Sequence, residues 1–245
     1  MSEMKTVILT GASRGIGHAT ALRFTDAGWR VITCSRDNVP AECLIGDGHH
    51  RHIVADLGDS ASLDGFVEEA NALLGDEPLH GLVNNAGLSP KTDFKERLGC
   101  LHGEIDQWRE VFELNFFAPL KLGRGFAAAL HRGKGAIVNI TSIAGHSVHP
   151  FAGSAYSTSK AALSALTREM AAEFAHLSVR VNAVAPGEIE TAMLSPETEV
   201  MIPRIPLHRF GVPSDVASAI YYLCSDESSY ISGTEIMVTG GQHIF

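Results

Sequence analysis

The chain has 245 residues, 45% hydrophobic and 19% charged, which describes a globular protein able to bury a sizeable core. Its 19 basic and 28 acidic residues give a formal net charge of −9, and no basic tract occurs, so nucleic acid and anionic membranes are poor candidate partners. No apolar run approaches bilayer-spanning length, and residues 1–5 lead straight into strand-like 6–9; neither a membrane span nor a signal peptide is expected, and a cytoplasmic protein is.

Apolar strands alternate with helical stretches along the whole chain, the pattern of βαβ units and a parallel sheet. Strands are predicted at 6–10, 30–34, 52–55, 81–84, 136–141, 179–185 and 235–239, and their Val/Ile-rich character fits burial on both faces. Helices are predicted near 15–27, 60–74, 105–131, 154–175 and 213–224, the last with Pro213 in its first turn. The first crossover, 37–51, contains Pro40, Gly46 and Gly48, so any helix there is short or broken. His49, His50 and His52 follow it; they read as a solvated turn, because no Cys, Asp or Glu completes a ligand set at usable spacing. Cys34, Cys43, Cys100 and Cys224 form no CxxC pair, and reduced thiols are expected. No linker, repeat or low-complexity block divides the chain, so a single domain over 1–245 is expected.

Two predicted helices carry further information. In 105–131, Pro119 lacks the N–H that would bond the Asn115 carbonyl; a plain kink is one consequence, a water held by that carbonyl another. In 154–175, Tyr156, Lys160, Leu163 and Thr167 fall on one face, and Ala155, Ala162 and Ala165 are small enough for close approach of another helix. Packing on the chain's own sheet and a helix-to-helix dimer contact are both open.

The chemistry gathers in three places. Thr10-Gly11-Ala12-Ser13-Arg14-Gly15-Ile16-Gly17 follows a strand and opens a helix; its glycines permit a tight turn and close backbone approach to a pyrophosphate at the positive helix end. Tyr156 and Lys160 stand at i and i+4, which puts a phenol and an ammonium about a turn apart on one helical face. A neighbouring cation favours phenolate and lowers the tyrosine pKa. Ser142 lies fourteen residues before Tyr156. Together these features suggest proton transfer coupled to hydride transfer.

With these residues on the page, the chain resembles the short-chain dehydrogenase/reductase family over essentially its whole length, and 3-oxoacyl-[acyl-carrier-protein] reductases among its members. Residues 10–17 resemble the family's cofactor loop, and Asn84-Asn85-Ala86-Gly87 its fourth-strand motif. Asn115 is similar to the asparagine of its fourth helix, Ser142 to its fifth-strand serine, and Tyr156 to Lys160 to its YxxxK. Pro186-Gly187, with Ile189 and Thr191 beyond, resembles the segment facing the nicotinamide carboxamide, and 233–241 the last strand and its exit turn. Two stretches depart from the pattern: 90–104 is longer, and the substrate lid at 188–208 is shorter and carries Pro196, Pro203 and Pro206.

The resemblance implies a single-domain α/β fold of Rossmann type, a doubly wound seven-stranded parallel sheet with helices on both faces. It implies that Tyr156 exchanges a proton with a carbonyl or secondary-alcohol substrate, Lys160 lowers the tyrosine pKa and bonds the nicotinamide ribose, Ser142 orients the substrate oxygen, and Asn115 positions a water. Cofactor contacts are expected from Gly11, Ser13, Arg14, Gly15, Ile16, Gly17, Ser35, Arg36, Asp56, Leu57, Asn85, Ala86, Gly87, Tyr156, Lys160, Pro186, Gly187, Ile189 and Thr191. Ser35 stands where an acid would bind the ribose hydroxyls of NAD, and Arg14 and Arg36 suit a 2′-phosphate. NADP is therefore expected, with Asp37 supporting NAD as the alternative. Asp56 reads as an adenine contact or as a helix N-cap. His146, His149, Pro150 and Phe151 should border the substrate, or simply pack in their loop. A secondary-alcohol dehydrogenase using NAD and a non-catalytic nicotinamide-binding regulator are the alternatives to an NADP(H)-dependent ketone reductase. A homotetramer or homodimer is implied, and no metal.

Overall fold

The computed structural model describes residues 4–38, 49–90, 98–101, 103–191 and 196–244. Seven parallel strands form one sheet: β1 (Thr6–Thr10), β2 (Arg30–Ser35), β3 (His50–Val54), β4 (Gly81–Asn84), β5 (Ala136–Ile140), β6 (Arg180–Pro186) and β7 (Glu235–Val238). Their order across the sheet is β3-β2-β1-β4-β5-β6-β7. The chain therefore runs outward from β1 in one direction and restarts beside β1 with β4 in the other. A crevice opens at such a reversal, outside the carboxyl ends of the two strands.

Side chains alternate faces along a strand, and two cores follow from that period. Ile8, Ile32, Leu82, Ile137 and Val181 face one core, which contains residues of α2 (Ser60–Leu74), α4 (Ala118–Gly125), α5 (Ala127–Gly133) and α6 (Ser154–Phe174). Val7, Leu9, Val31, Val83, Val138 and Val184 face the other, where α1 (Gly15–Asp26) packs against α7 (Pro213–Cys224). Phe24 of α1 meets Trp29 edge-on at 4.9 Å between ring centroids. Helices thus cover both faces, as expected of a doubly wound sheet.

Three expectations change. His50 opens β3 and is buried, so the histidine run is not a solvated turn. The Thr33 hydroxyl lies 2.9 Å from both His50 Nε2 and His52 Nδ1, so two imidazoles are held against the neighbouring strand. No group of three or more His, Cys, Asp or Glu could hold a metal among the described residues. Asp56 does not cap α2: Asp59 does, its carboxylate accepting from Ser62 N at 2.8 Å. Asp56 instead accepts from Gly58 N at 2.9 Å, closing a tight turn. The predicted helix at 105–131 is interrupted. α3 (Ile105–Phe112) passes into a π-turn, Glu113–Phe117, where Ala118 N–H bonds the Glu113 carbonyl, and α4 then starts with Pro119 in its first turn. A proline is tolerated there because a first-turn N–H has no intrahelical acceptor. The first crossover between 39 and 48, much of the 90–104 loop and lid residues 192–195 lie outside the described residues; 196–204 winds as 3-10 turns.

A buried amide ties the sheet to α6. Asn139 accepts from Asn84 Nδ2 at 2.8 Å and donates to Thr167 Oγ1 at 2.9 Å, with all three side chains buried. Replacing Asn139 with leucine removes both bonds and strands the Asn84 amide, at a cost of about 2–3 kcal/mol. For a chain of this size the melting temperature should fall by roughly 5–10 °C, readable by calorimetry. An unchanged melting temperature would show that the amide network does not hold α6 in place.

Candidate active site

A cleft of about 500 Å3 opens at the reversal between β1 and β4 and runs to the carboxyl ends of β5 and β6. Every residue expected to touch the cofactor lines it, from Gly11 through Thr191. Ser142, Tyr156 and Lys160 line it as well, whereas Asn115 is fully buried behind it.

The loop between β1 and α1 is built for close approach. Gly11 turns through φ +69°, and a Cβ there would stand 2.8 Å from Ala86 Cα. At Gly17 a Cβ would stand 2.1 Å from the Gly11 carbonyl oxygen, so only glycine fits. Asn85 fastens this loop: its Nδ2 donates to the carbonyls of Thr10 at 3.0 Å and Gly11 at 2.9 Å. Thr10 answers by accepting from Asn85 N and Ala86 N through its hydroxyl, each at 3.0 Å. The positive end of α1 carries neither a side-chain cap nor an acidic residue in its first turn. Its N–H groups are thus left for an anion. This cradle fits the pyrophosphate of a dinucleotide. Thr10 was missed by the sequence reading, because a threonine at a strand end carries no signal of its own.

At the other end of the cleft, α6 presents Tyr156 and Lys160. Ser142 faces Tyr156 in the cleft, and its side chain favours the phenolate form; Ser142 Oγ also accepts from Ala144 N at 3.1 Å. Lys160 Nζ donates to the Ile140 carbonyl at 2.6 Å and lies 5.7 Å from the Tyr156 ring centroid. Burial pushes the Lys160 ammonium down to about 8. For Tyr156, burial raises the pKa, Ser142 opposes it, and the negative charge of Glu188 adds to the rise. The expected lowering by Lys160 therefore does not prevail in the protein alone; loss of hydration outweighs it.

Asn115 reaches the site through its side chain. Nδ2 donates to the Leu88 carbonyl at 2.9 Å and to Ser159 Oγ at 3.0 Å, while Oδ1 accepts from Leu88 N at 2.8 Å. Ser159 passes the link on to the Tyr156 carbonyl at 2.7 Å. A Cβ placed on Gly87 would lie 3.5 Å from both Asn115 Oδ1 and Lys160 Nζ, so this glycine sits between the two groups. His149 and Phe151 line the cleft, but His146 and Pro150 do not. His146 turns to Glu235, at 2.9 Å. His149 Nε2 instead meets Glu188 Oε1 at 2.6 Å, and Glu188 had not been singled out, since nothing around it in the sequence marks it.

At the far end, Arg14 and Arg36 are exposed, line the cleft, and pair with no carboxylate among the described residues. The Ser35 hydroxyl, which stands where an acid would bind the ribose hydroxyls, donates to the Asp37 carbonyl at 2.7 Å. Asp37 lines the cleft too.

Comparison with known proteins follows the same outline. The family model described as enoyl-(acyl carrier protein) reductase matches residues 11–243. A protein named FixR from Bradyrhizobium diazoefficiens is 52% identical over 99% of this chain and 88% of its own length. A 3-oxoacyl-[acyl-carrier-protein] reductase from Synechocystis is 33% identical over 98% of each chain. A crystal structure of a short-chain dehydrogenase/reductase from Brucella ovis, in complex with a partially ordered NAD, superposes with a TM-score of 0.82 at 47% identity. It covers 96% of this chain and 100% of its own. With a seven-stranded parallel sheet, a glycine cradle and a shared cleft behind these similarities, the chain belongs to the short-chain dehydrogenase/reductase family of NAD(P)-dependent oxidoreductases.

Proposed function

We propose that the protein interconverts a small carbonyl compound and a secondary alcohol with NADP(H), Tyr156 donating or accepting the proton. The observation that carries this reading is that Ser142, Tyr156 and Lys160, the last one turn along α6, line the same cleft as the glycine cradle. Bound nicotinamide supplies or takes the hydride; the chain's own groups handle the proton and the geometry. Tyr156, raised by burial and by Glu188, is a neutral phenol at pH 7 and holds the proton that a nascent alkoxide takes in reduction. Ser142, in the same cleft wall as that phenol, orients the substrate oxygen beside it. Lys160 places a donor against the nicotinamide ribose and carries positive charge below about pH 8. Asn115 positions rather than reacts: it fixes Leu88 and, through Ser159, the backbone of Tyr156. A water relay at the Asn115 carbonyl belongs to the same proposal.

For the cofactor, the guanidiniums of Arg14 and Arg36 at the ribose end, which pair with no carboxylate among the described residues, support the 2′-phosphate of NADP. NAD is the second reading. It is favoured by Asp37 in the cleft wall, by the engaged Ser35 hydroxyl, and by the NAD held in the Brucella ovis relative. The proposal includes a single domain over 1–245, a lid near 188–208 and a cytoplasmic setting. It also includes a homodimer or homotetramer formed through the helices of 105–131 and 154–175; of the small residues named in the latter, Ala165 is exposed, whereas Ala155 is buried within the chain.

Three outcomes test these assignments. Tyr156→Phe should bind NADPH within about threefold of wild type yet lose at least about 10³-fold in kcat. Retained turnover on any ketone would remove the proton-transfer role. By fluorescence titration NADPH should bind at least about tenfold more tightly than NADH, and Arg14→Ala with Arg36→Ala should erase the difference; equal affinities in wild type decide for NAD.

The third concerns stability. Lys160 titrates lower in the folded chain, near 8, than its ordinary 10.5, so the unfolded chain binds the proton more tightly. The penalty is present in full below about pH 8, fades as pH rises through that window, and is gone above the unfolded value. It amounts to about 3 kcal/mol. Lys160→Met should therefore be inactive but more stable than wild type at pH 7, with the advantage shrinking by pH 10 in denaturant titrations. A destabilised variant at pH 7 would show that the Ile140 carbonyl bond outweighs the burial cost.

A further inference from the structure

Two segments meet over the reacting end of the cleft: the stretch after Ser142, which carries His149, and the stretch after β6, which carries Glu188. Both side chains are nearly buried, at 11% and 8% exposure, and both line the cleft. Their hydrogen-bond roles can be assigned. Phe151 N–H donates to His149 Nδ1 at 3.3 Å, so that nitrogen is the acceptor. The ring hydrogen therefore sits on Nε2, which donates to Glu188 Oε1 at 2.6 Å. Glu188 is left as a carboxylate with acceptor capacity only, and its second oxygen receives no donor among the described residues. It lines the same cleft as Ser142 and Tyr156, and its charge is felt at Tyr156.

A carboxylate so placed discriminates among substrates by elementary chemistry. An alkyl group against it displaces water from the second carboxylate oxygen without replacing the hydrogen bond, and an anionic group is repelled. A donor satisfies it, and the donor that brings no second charge into a buried site is a hydroxyl. Resting on the Tyr156 reading above, we propose that Glu188, aimed by His149, is the specificity-determining residue that accepts a hydrogen bond from a substrate hydroxyl on the carbon next to the carbonyl. The substrate class is then a vicinal hydroxy-ketone, or the corresponding diol in the reverse direction, and not a 2-oxo acid or a simple alkyl ketone. His149 is a positioning residue, acting through Glu188. No step is added to the reaction: the substrate hydroxyl keeps its hydrogen throughout.

The test compares three small ketones with NADPH and with NADH. They are acetoin, with a hydroxyl beside the carbonyl; 2-butanone, with hydrogen there; and pyruvate, with a carboxylate. Sites built to bond a substrate hydroxyl reject the analogue that lacks it by large factors. The wild-type kcat/KM for acetoin should therefore exceed that for 2-butanone and for pyruvate by at least about tenfold. In Glu188→Ala the acetoin-to-butanone ratio should collapse toward unity, and Glu188→Gln should raise pyruvate relative to 2-butanone. His149→Ala should weaken the acetoin preference in the same direction but less. A pair that merely staples the two segments predicts equal losses on all three ketones with the ratios unchanged; that result, or a wild type without preference, overturns the proposal. Cofactor titration of each variant reports folding. If Tyr156→Phe keeps its rate on 2-butanone, the Tyr156 reading fails whatever the hydroxyl preference. If that variant is inactive and wild type shows no preference, only the Glu188 assignment fails. Absence of wild-type turnover on all three ketones overturns both.

Discussion

The side chain of Asn85 grips the carbonyls of Thr10 and Gly11 from the end of the neighbouring strand, and the rest of the site is hung from that grip. Two residues on, Gly87 and Leu88 continue the same segment, and Leu88 is held on both its N–H and its carbonyl by Asn115. Asn115 then bonds Ser159, and Ser159 the backbone of Tyr156. A continuous hydrogen-bonded path thus links the phosphate cradle, the π-turn and the catalytic helix. Because Thr10, Asn115 and Ser159 are buried, the bonds they make are costly to leave unmade. The cleft is consequently a fixed distance between two ends: an anion cradle and a phenol.

The same burial that makes the path rigid sets a conflict at Lys160. An ammonium at 3% exposure is held near a carbonyl and an aromatic ring, without a carboxylate partner in its hydrogen bonds. Such a group lowers the stability of the fold at neutral pH, and its retention makes sense only where a ligand uses the charge. Glu188 adds a second unusual cost, since a carboxylate over the reacting end works against ionisation of Tyr156. Burial and Glu188 together outweigh the opposing influence of Ser142, which leaves the proton on Tyr156.

Much of this was legible before any coordinates. Strands at 6–10 and 81–84 and helices at 60–74 and 213–224 emerge with the predicted ends, because apolar runs bounded by glycine, proline and acidic residues leave few alternatives. The glycine loop and the Tyr156–Lys160 spacing announced the cleft. What escaped reading depended on partners distant in the chain. His50 looks like part of a polar turn until Thr33 of the adjacent strand supplies its bond. Asp56 reads as a cap, although a helix starting at 60 already puts Asp59 in that place. Glu188 and His149 lie 39 positions apart, and neither has a local pattern that would join them. The π-turn was invisible for another reason: Pro119 marks a disturbance but says nothing of how the preceding turn absorbs it.

That turn has a consequence for how the chain tolerates changes of length. A π-turn holds one residue more than the α-helical path it replaces, and each residue rotates a helix by about 100°. Ahead of it, Val111 packs with Leu98 and Ala155; beyond it, Leu122 and Phe126 point into the core under the sheet. The surplus residue is what lets one rod serve both neighbourhoods at once. Shortening Glu113–Phe117 by a single position would swing one of the two faces toward solvent, so this turn is expected to tolerate no change of length.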